Sequence, residues 1–412
     1  MKNKLLPLIL AVLASGCSFR VSTSVEPAPQ LAPKLDFSYY DNAQVSIEQP
    51  DGFVTFASKI LSNCPGAVNR YSAADCSGQQ RFNLPAGVLI RTNKKGDVLS
   101  EKQLSGGVYP FAYFNKVAQT PDNGFVGSGN FYDPTTKKTL NLVKFNALGE
   151  QVWVKGLENP DQTIRNLIML KSGHVLVLGT TYRAPAGPGF ATFTSFLLKL
   201  DPNGNTISQQ SYGNAGQPDS GGEAVELENG NIVVAYGGES NIERRNSLLF
   251  FDKDLKALNS TPMAATSQLR FLAKTSAGFV LLTSDIVGGT NTQNLAYFSM
   301  EGKEIRKILV TNAQLFISRI ASTPNDGIAM VATRNSNQLV IIRLDQDGTN
   351  LRLTPYNISP SVLASGVQIM PSGRVVGTFI ENAATKNELT LFMVEPNNTE
   401  GFRKVIASGK IK

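Results

Sequence analysis

The chain has 412 residues, with 39 lysines and arginines against 32 aspartates and glutamates, three cysteines and one histidine. Such a length exceeds a small module and admits one large all-β body. A net charge of +7 without a block of like charge does not resemble a nucleic-acid binder, and a single histidine excludes metal centres built from several.

Met1-Lys2-Asn3-Lys4 is followed by an apolar run from Leu5 to Leu13 and then by small residues up to Cys17. Basic, apolar and small segments in that order make an export signal. The run is far shorter than the ~20 residues of a spanning helix. Ala14-Ser15-Gly16-Cys17 resembles the lipobox of bacterial lipoproteins. The resemblance implies a signal peptide over residues 1–16, cleavage before Cys17 and acylation of that cysteine; an ordinary cleaved signal is the alternative. Buried methylenes contribute ~0.8 kcal/mol each and stable anchoring takes more than one chain, so Cys17 reads as an anchor and not a catalyst. In that family Asp after the cysteine retains the protein at the inner membrane. Ser18 therefore implies the outer membrane, and its periplasmic face is the expected side. Losing Lys2 and Lys4 with the signal lowers the net charge from +7 to +5.

Residues 17–40 are expected to form the lipidated cysteine and a flexible tether. "VEPAPQLAPK" has three prolines and few apolar side chains, a composition of extended linkers. Packing of its end on the body near Phe37, Tyr39 and Tyr40 is the alternative.

From residue 41 onward one pattern recurs seven times: a polar, glycine-bearing turn between two β-rich runs. It reads "PDGFVTFAS", "PDNGFVGSG", "KSGHVLVLG", "ENGNIVVAYG", "SAGFVLLTS", "PNDGIAMVA" and "PSGRVVGTF", with glycines at 52, 124, 173, 230, 278, 327 and 373. A second turn follows each, as in "LLKLDPNGNTISQQS" and "IIRLDQDGTNLRLT". Tight turns with Asn-Gly or Asp-Gly join antiparallel strands, so each copy is four short strands. A four-stranded unit cannot bury both faces alone; seven packed around an axis can. The expectation is an all-β, seven-bladed β-propeller of four-stranded antiparallel blades over 41–412; an open β-solenoid is the alternative. Its closure is open: strand runs near Leu35–Tyr40 complete the last blade, or Phe402–Ser408 does so alone.

Copy one is longer. Its two turn glycines, Gly52 and Gly96, lie 44 apart, against 25 for Gly124 and Gly149. The excess is an insertion at about 60–84, and it contains Cys64 and Cys76. Close cysteines of an exported chain meet an oxidising compartment and usually pair. The expected disulfide closes a loop worth ~3 kcal/mol in the chain-entropy model.

Leu198-Lys199-Leu200-Asp201, with Gly204 and Asn205, resembles the "LxKLDxxGN" turn of bacterial β-propeller repeat proteins. Leu344-Asp345 with Gly348 follows it, and copies four and seven depart. The resemblance covers about residues 41–408 and implies the fold, since many functions share this turn.

Catalytic signals are sparse. His174 sits in the turn of copy three and reads as a solvated side chain. GxSxG, Walker and GxGxxG patterns are missing. Quinoprotein propellers carry repeated docking tryptophans, whereas this chain has Trp153 alone. "DQDGTN" and "DPNGN" alternate oxygens as calcium loops do but lack the later glutamate; turn formation explains them. Glu223 and Glu226 form a carboxylate pair in the first strand of copy four, the one hint of a carbohydrate-active enzyme. No catalytic, metal or cofactor residue is assigned.

Counting eight residues back from each first-turn glycine reaches Gln44, Lys116, Arg165, Gly222, Arg270, Arg319 and Ser365. First strands line a propeller's axis, so Lys116, Arg165, Arg270 and Arg319 are expected at one mouth, where clustered charge attracts an anionic ligand or acidic partner segment. Pairing with neighbouring blades is the alternative. The leading functional expectation is a non-catalytic scaffold docking other envelope proteins, by architectural analogy with lipid-anchored propellers that assist outer-membrane protein assembly. The alternatives are binding of an envelope glycan or other anionic ligand at the basic mouth, and a carbohydrate-active enzyme.

Overall fold

The structure is a computed structural model, and it describes residues 37–62, 83–106, 109–110, 114–133, 138–159, 161–183, 192–212, 219–239, 244–287, 290–312, 315–334, 338–357, 367–383 and 386–410. Cys17 with the tether to residue 36, and Cys64 and Cys76 in the insertion, lie outside the described residues. Every described element is a strand, and consecutive strands pair antiparallel. Seven blades of four strands result: 37–106, 116–155, 162–212, 219–263, 267–312, 316–357 and 368–410. Their innermost strands are Phe37–Gln49, Lys116–Gln119, Gln162–Met169, Asp219–Glu226, Ser267–Thr275, Phe316–Ser322 and Gln368–Ile369.

The ring closes because each blade buries both faces. In the second strand of blade five, Gly278–Val287, alternate side chains point to opposite sides. Phe279 and Leu281 pack with Val233 and Leu248 of blade four, while Val280 and Leu282 pack with Met330 and Ile342 of blade six. Burial on two faces explains why second strands read as continuous apolar runs. The same arrangement joins blades seven and one, through Met370, Val376, Leu389 and Leu391 against Phe53, Val88 and Ile90. Glu400–Lys410 supplies the fourth strand of blade seven. Phe37–Gln49 is the inner strand of blade one and touches blade seven through the Ser38–Lys410 pairing. The closing strand is thus C-terminal, with one bridge from the N-terminal side.

The second-turn motif has a local cause. In blade three the Asp201 N–H donates to the Asn205 carbonyl at 2.9 Å and Gly204 takes φ 85°. The Asp201 carboxylate accepts from the Asn203 and Asn205 backbone and from Asn205 Nδ2, each at 2.8 Å. The acid therefore caps its own turn. The left-handed seat is filled by Gly96, Gly149, Gly204, Leu255, Gly302, Gly348 and Asn398 in turn. The departures in copies four and seven are the two non-glycine seats. Leu255 is 2% exposed and packs with Leu197 and Tyr212 of blade three. Asn398 accepts from Arg343 Nε of blade six at 2.7 Å and donates to Thr354 Oγ1 at 2.8 Å.

Each second turn is also held by the blade before it. Lys102 Nζ donates to the Leu148 carbonyl (3.2 Å), Trp153 Nε1 to Pro202 (3.0 Å) and Lys199 Nζ to Lys253 (2.6 Å). Thr261 Oγ1 donates to Gly302 (3.4 Å), Arg306 Nη2 to Gln346 (2.6 Å) and Arg343 Nη2 to Glu395 (3.3 Å). Lys404 of blade seven reaches Asp97 of blade one and completes the circle. These latches give turn carbonyls, and in blade one the Asp97 carboxylate, a partner from outside the blade.

Candidate functional site

The inner strands meet at a cavity of about 270 Å³ on the axis, lined from every blade: Val45, Phe114, Lys116, Asn166, Glu223, Phe271, Arg319 and Gln368 face it with their neighbours. Six of these residues occupy one structural position. Val45 pairs with Phe56, Lys116 with Ser128, Asn166 with Leu178, Glu223 with Ala235, Phe271 with Leu282 and Arg319 with Val331. In blades one, three, four, five and six the position lies directly after a register shift in the inner strand. A bulge inserts one unpaired residue and re-aims the side chain after it.

This geometry brings two of the four expected basic residues into the axial cavity. Gln44, Arg165, Gly222 and Arg270 fall within the bulges, one residue before the lining position. The cause is turn type. In blades two and six the left-handed residue is Asn123 (φ 58°) or Asp326 (φ 56°), and the glycine follows it. In blades three, four and seven the glycine itself takes that conformation. In blades one and five Gln49 pairs with Gly52 and Thr275 with Gly278 across two-residue turns, so a count anchored on glycine slips by one residue between blades two and six and blades one, three, four and five. Lys116 and Arg319 line the cavity, and Arg165 and Arg270 are not part of its lining. Arg165 is exposed, with Nε 3.4 Å from Thr180 Oγ1. Arg270 donates to Gln268 Oε1 at 2.6 Å and lies 5.9 Å from the Phe316 ring centroid. Ser365 lies outside the described residues.

Glu223 and Glu226 separate. Glu223 enters the cavity and accepts from Asn166 Nδ2 at 2.8 Å. Glu226 accepts from the Lys171 backbone N–H of blade three at 2.6 Å. They do not share one cavity as a carboxylate pair.

Electrostatics concentrates on Lys116. Its side chain is half-buried and makes no hydrogen bond or ion pair among the described residues. Burial pushes its ammonium below the ordinary lysine range; the Glu223 charge opposes this, and the Arg319 charge adds to it. Arg319 Nη1 donates to the Ser318 carbonyl at 2.9 Å, and its guanidinium carbon stands 5.8 Å from the Phe271 centroid.

Three further cavities open where first and second turns emerge. One of about 560 Å³ lies between blades five and six, lined by Tyr297, Ile305, Arg306, Asp326 and Asp347 among others. One of about 630 Å³ lies between blades six and seven, with Pro324, Arg343, Arg352, Pro396 and Asn397. They share Asp345, Gln346 and Asn350, so the second turn of blade six forms a ridge between them. A third, of about 430 Å³, lies over Glu48, Lys94, Met370 and Arg374. The lone histidine, His174, bonds through Nδ1 to Ser172 Oγ at 2.7 Å within its own turn, away from these spaces. Among the described residues no three His, Cys, Asp or Glu side chains gather as a metal site.

Fold and cavity together define the chain as a seven-bladed β-propeller with a narrow, mixed-charge axis. No protein-family model and no curated protein matches it. Solved structures share the architecture. The Pyrococcus horikoshii acylaminoacyl peptidase aligns at TM-score 0.52 and 10% identity, over 90% of this chain and 52% of that one. A mutant of Synechocystis apocarotenoid oxygenase aligns at TM-score 0.51 and 9% identity, over 91% of this chain and 93% of that one. A prolyl endopeptidase aligns at TM-score 0.51 and 11% identity, over 90% and 49%. The chain thus spans about half the length of either peptidase. At such identity the likeness is one of fold alone.

Proposed function

We propose that this chain is a lipid-anchored propeller of the bacterial envelope, held at the outer membrane through Cys17 on its periplasmic face. It acts as a non-catalytic scaffold that docks other envelope proteins. The observation that carries the docking role is the pair of grooves flanking the blade-six turn. They offer carboxylates, arginines and apolar side chains across three adjacent blades. Such mixed, concave surfaces on rigid scaffolds suit recognition of another protein's segment. The anchor reading rests on the order of charge, apolar run and Cys17 at the N-terminus. No helix among the described residues is long and apolar enough to cross a membrane.

Site-specific photocrosslinking in cells tests the reading. A crosslinker at Gln346 or Asn397, inside the grooves, should capture a discrete envelope protein; one at Leu258, exposed on the outer strand of blade four, should not. Cys17→Ala should release the chain from the membrane and abolish capture. Equal capture from all three positions, or none from the grooves in a correctly anchored chain, would sink the scaffold.

A further inference from the structure

Three charges from three blades face the axial cavity: Lys116, Arg319 and Glu223. Their sum is one positive charge. Glu223 is partly satisfied by Asn166, and Arg319 spends one nitrogen on a backbone carbonyl. Lys116 has no partner among the described residues. Among the described residues Glu223 is the one counter-charge facing Lys116 and Arg319 in the cavity, so one cation is left over, and a single anion removes the imbalance. The remaining wall is mixed, with Val45, Phe114 and Phe271 beside Asn115, Asn166 and Gln368. At about 270 Å³ the space falls just under the range of roughly 300–1,000 Å³ typical of drug-sized ligands, so its occupant is compact.

We propose that the axial cavity is a binding site for a small organic monoanion, a carboxylate on a compact apolar body, gripped between Lys116 and Arg319. The ring latches hold the two cations on separate blades, so little ordering is needed on binding. Phe271, already beside the Arg319 guanidinium, offers the body a flat apolar wall. Glu223 opposes a second negative charge, which favours a monocarboxylate over a phosphate dianion. The depressed lysine pKa fits this picture, because an anion beside Lys116 favours its charged form.

The test uses the purified full chain, calorimetric titration, and NMR of isotope-labelled lysine with Lys116 Nζ followed directly. The probes are benzoate, pyruvate, inorganic phosphate and uncharged benzamide. Benzoate should bind saturably and move the Lys116 signal, phosphate should bind more weakly, and benzamide should do neither. Lys116→Met or Arg319→Met should each weaken benzoate about tenfold or more, the loss expected for a charged hydrogen bond. Lys116→Arg should retain it, and Glu223→Gln should tighten it by removing a like charge. Affinity should fall as pH rises through the Lys116 pKa, because only the protonated amine holds the anion. Should a methionine variant fail to fold, the wild-type Lys116 shift and the Lys116→Arg variant still decide. No Lys116 shift with any anion, binding indifferent to both cations, or a preference for phosphate would each overturn the proposal. None of these outcomes depends on the scaffold reading, which the crosslinking tests separately.

Discussion

Replacing Leu255 by glycine sets two effects against each other at one residue. Leu255 holds φ 67°, in the seat that glycine takes in five of the other blades. The left-handed conformation costs a non-glycine residue about 1–2 kcal/mol, and glycine relieves that. The substitution also removes a side chain 2% exposed, seated among Leu197, Tyr212 and Phe251 across the junction of blades three and four. Buried leucine-to-alanine changes cost about 2–5 kcal/mol, and glycine's freer unfolded chain adds about 0.5–1 kcal/mol. Lost packing therefore outweighs relieved strain, and Leu255→Gly should destabilise by about 0.5–5 kcal/mol. Urea unfolding should show a lower midpoint at unchanged slope. Leu255→Asn, which tolerates the same backbone, should fall as well, because it too forfeits the burial. An unchanged or raised midpoint for Leu255→Gly would refute the reasoning, since the turn conformation and not the seated leucine would then limit this junction.

Gly302→Ala, at the equivalent seat of blade five, should cost about 1–3 kcal/mol in a thermal melt. Its φ is 84° and a Cβ would stand 2.4 Å from Phe250 Cζ of blade four. Lys199→Met keeps the buried stem but deprives the Lys253 carbonyl of its donor. About 1–3 kcal/mol should be lost, with hydrogen exchange accelerated first at the junction of blades three and four. Glu228 accepts from Lys171 of blade three and Lys274 of blade five, each at 2.6 Å. The two lysine hydrogen bonds hold its carboxyl at about 2, below the ordinary glutamate value. Its contribution is thus fully present above the unfolded-state pKa and lost as pH falls through about 2. NMR titration should find that midpoint, and Lys171→Met or Lys274→Met should raise it; a midpoint indifferent to both would refute the bridge.

Most of the architecture was legible because it is written in local chemistry. Asp201 capping its own turn and Gly204 taking a positive φ need only five consecutive residues. Seven such turns at near-regular spacing imply seven blades. The axial site was legible only in part. Lys116 and Arg319 emerged because their blades carry the extra turn residue that places a glycine eight positions later. Asn166 and Phe271 did not emerge, since the bulges before them are visible only against a partner strand. A one-residue slip exchanges the two faces of a strand. The count therefore reached Arg165 and Arg270 in the bulges and not Asn166 and Phe271, which line the cavity.

The same distinction bears on what a positive net charge means. Cations counted along the chain look available to an anionic partner. In the ring many of them are engaged at the junctions: Lys102, Lys199, Arg306 and Arg343 donate to carbonyls of the next blade's turn. These residues hold each blade to its neighbour, as the uncharged Trp153 and Thr261 do at two other junctions. A charge that serves closure has its partner within the fold, as Lys199 does. Lys116 has none among the described residues and faces an axial space. Net charge alone therefore does not separate cations that hold neighbouring blades together, such as Lys199, from one that faces the axial cavity, such as Lys116.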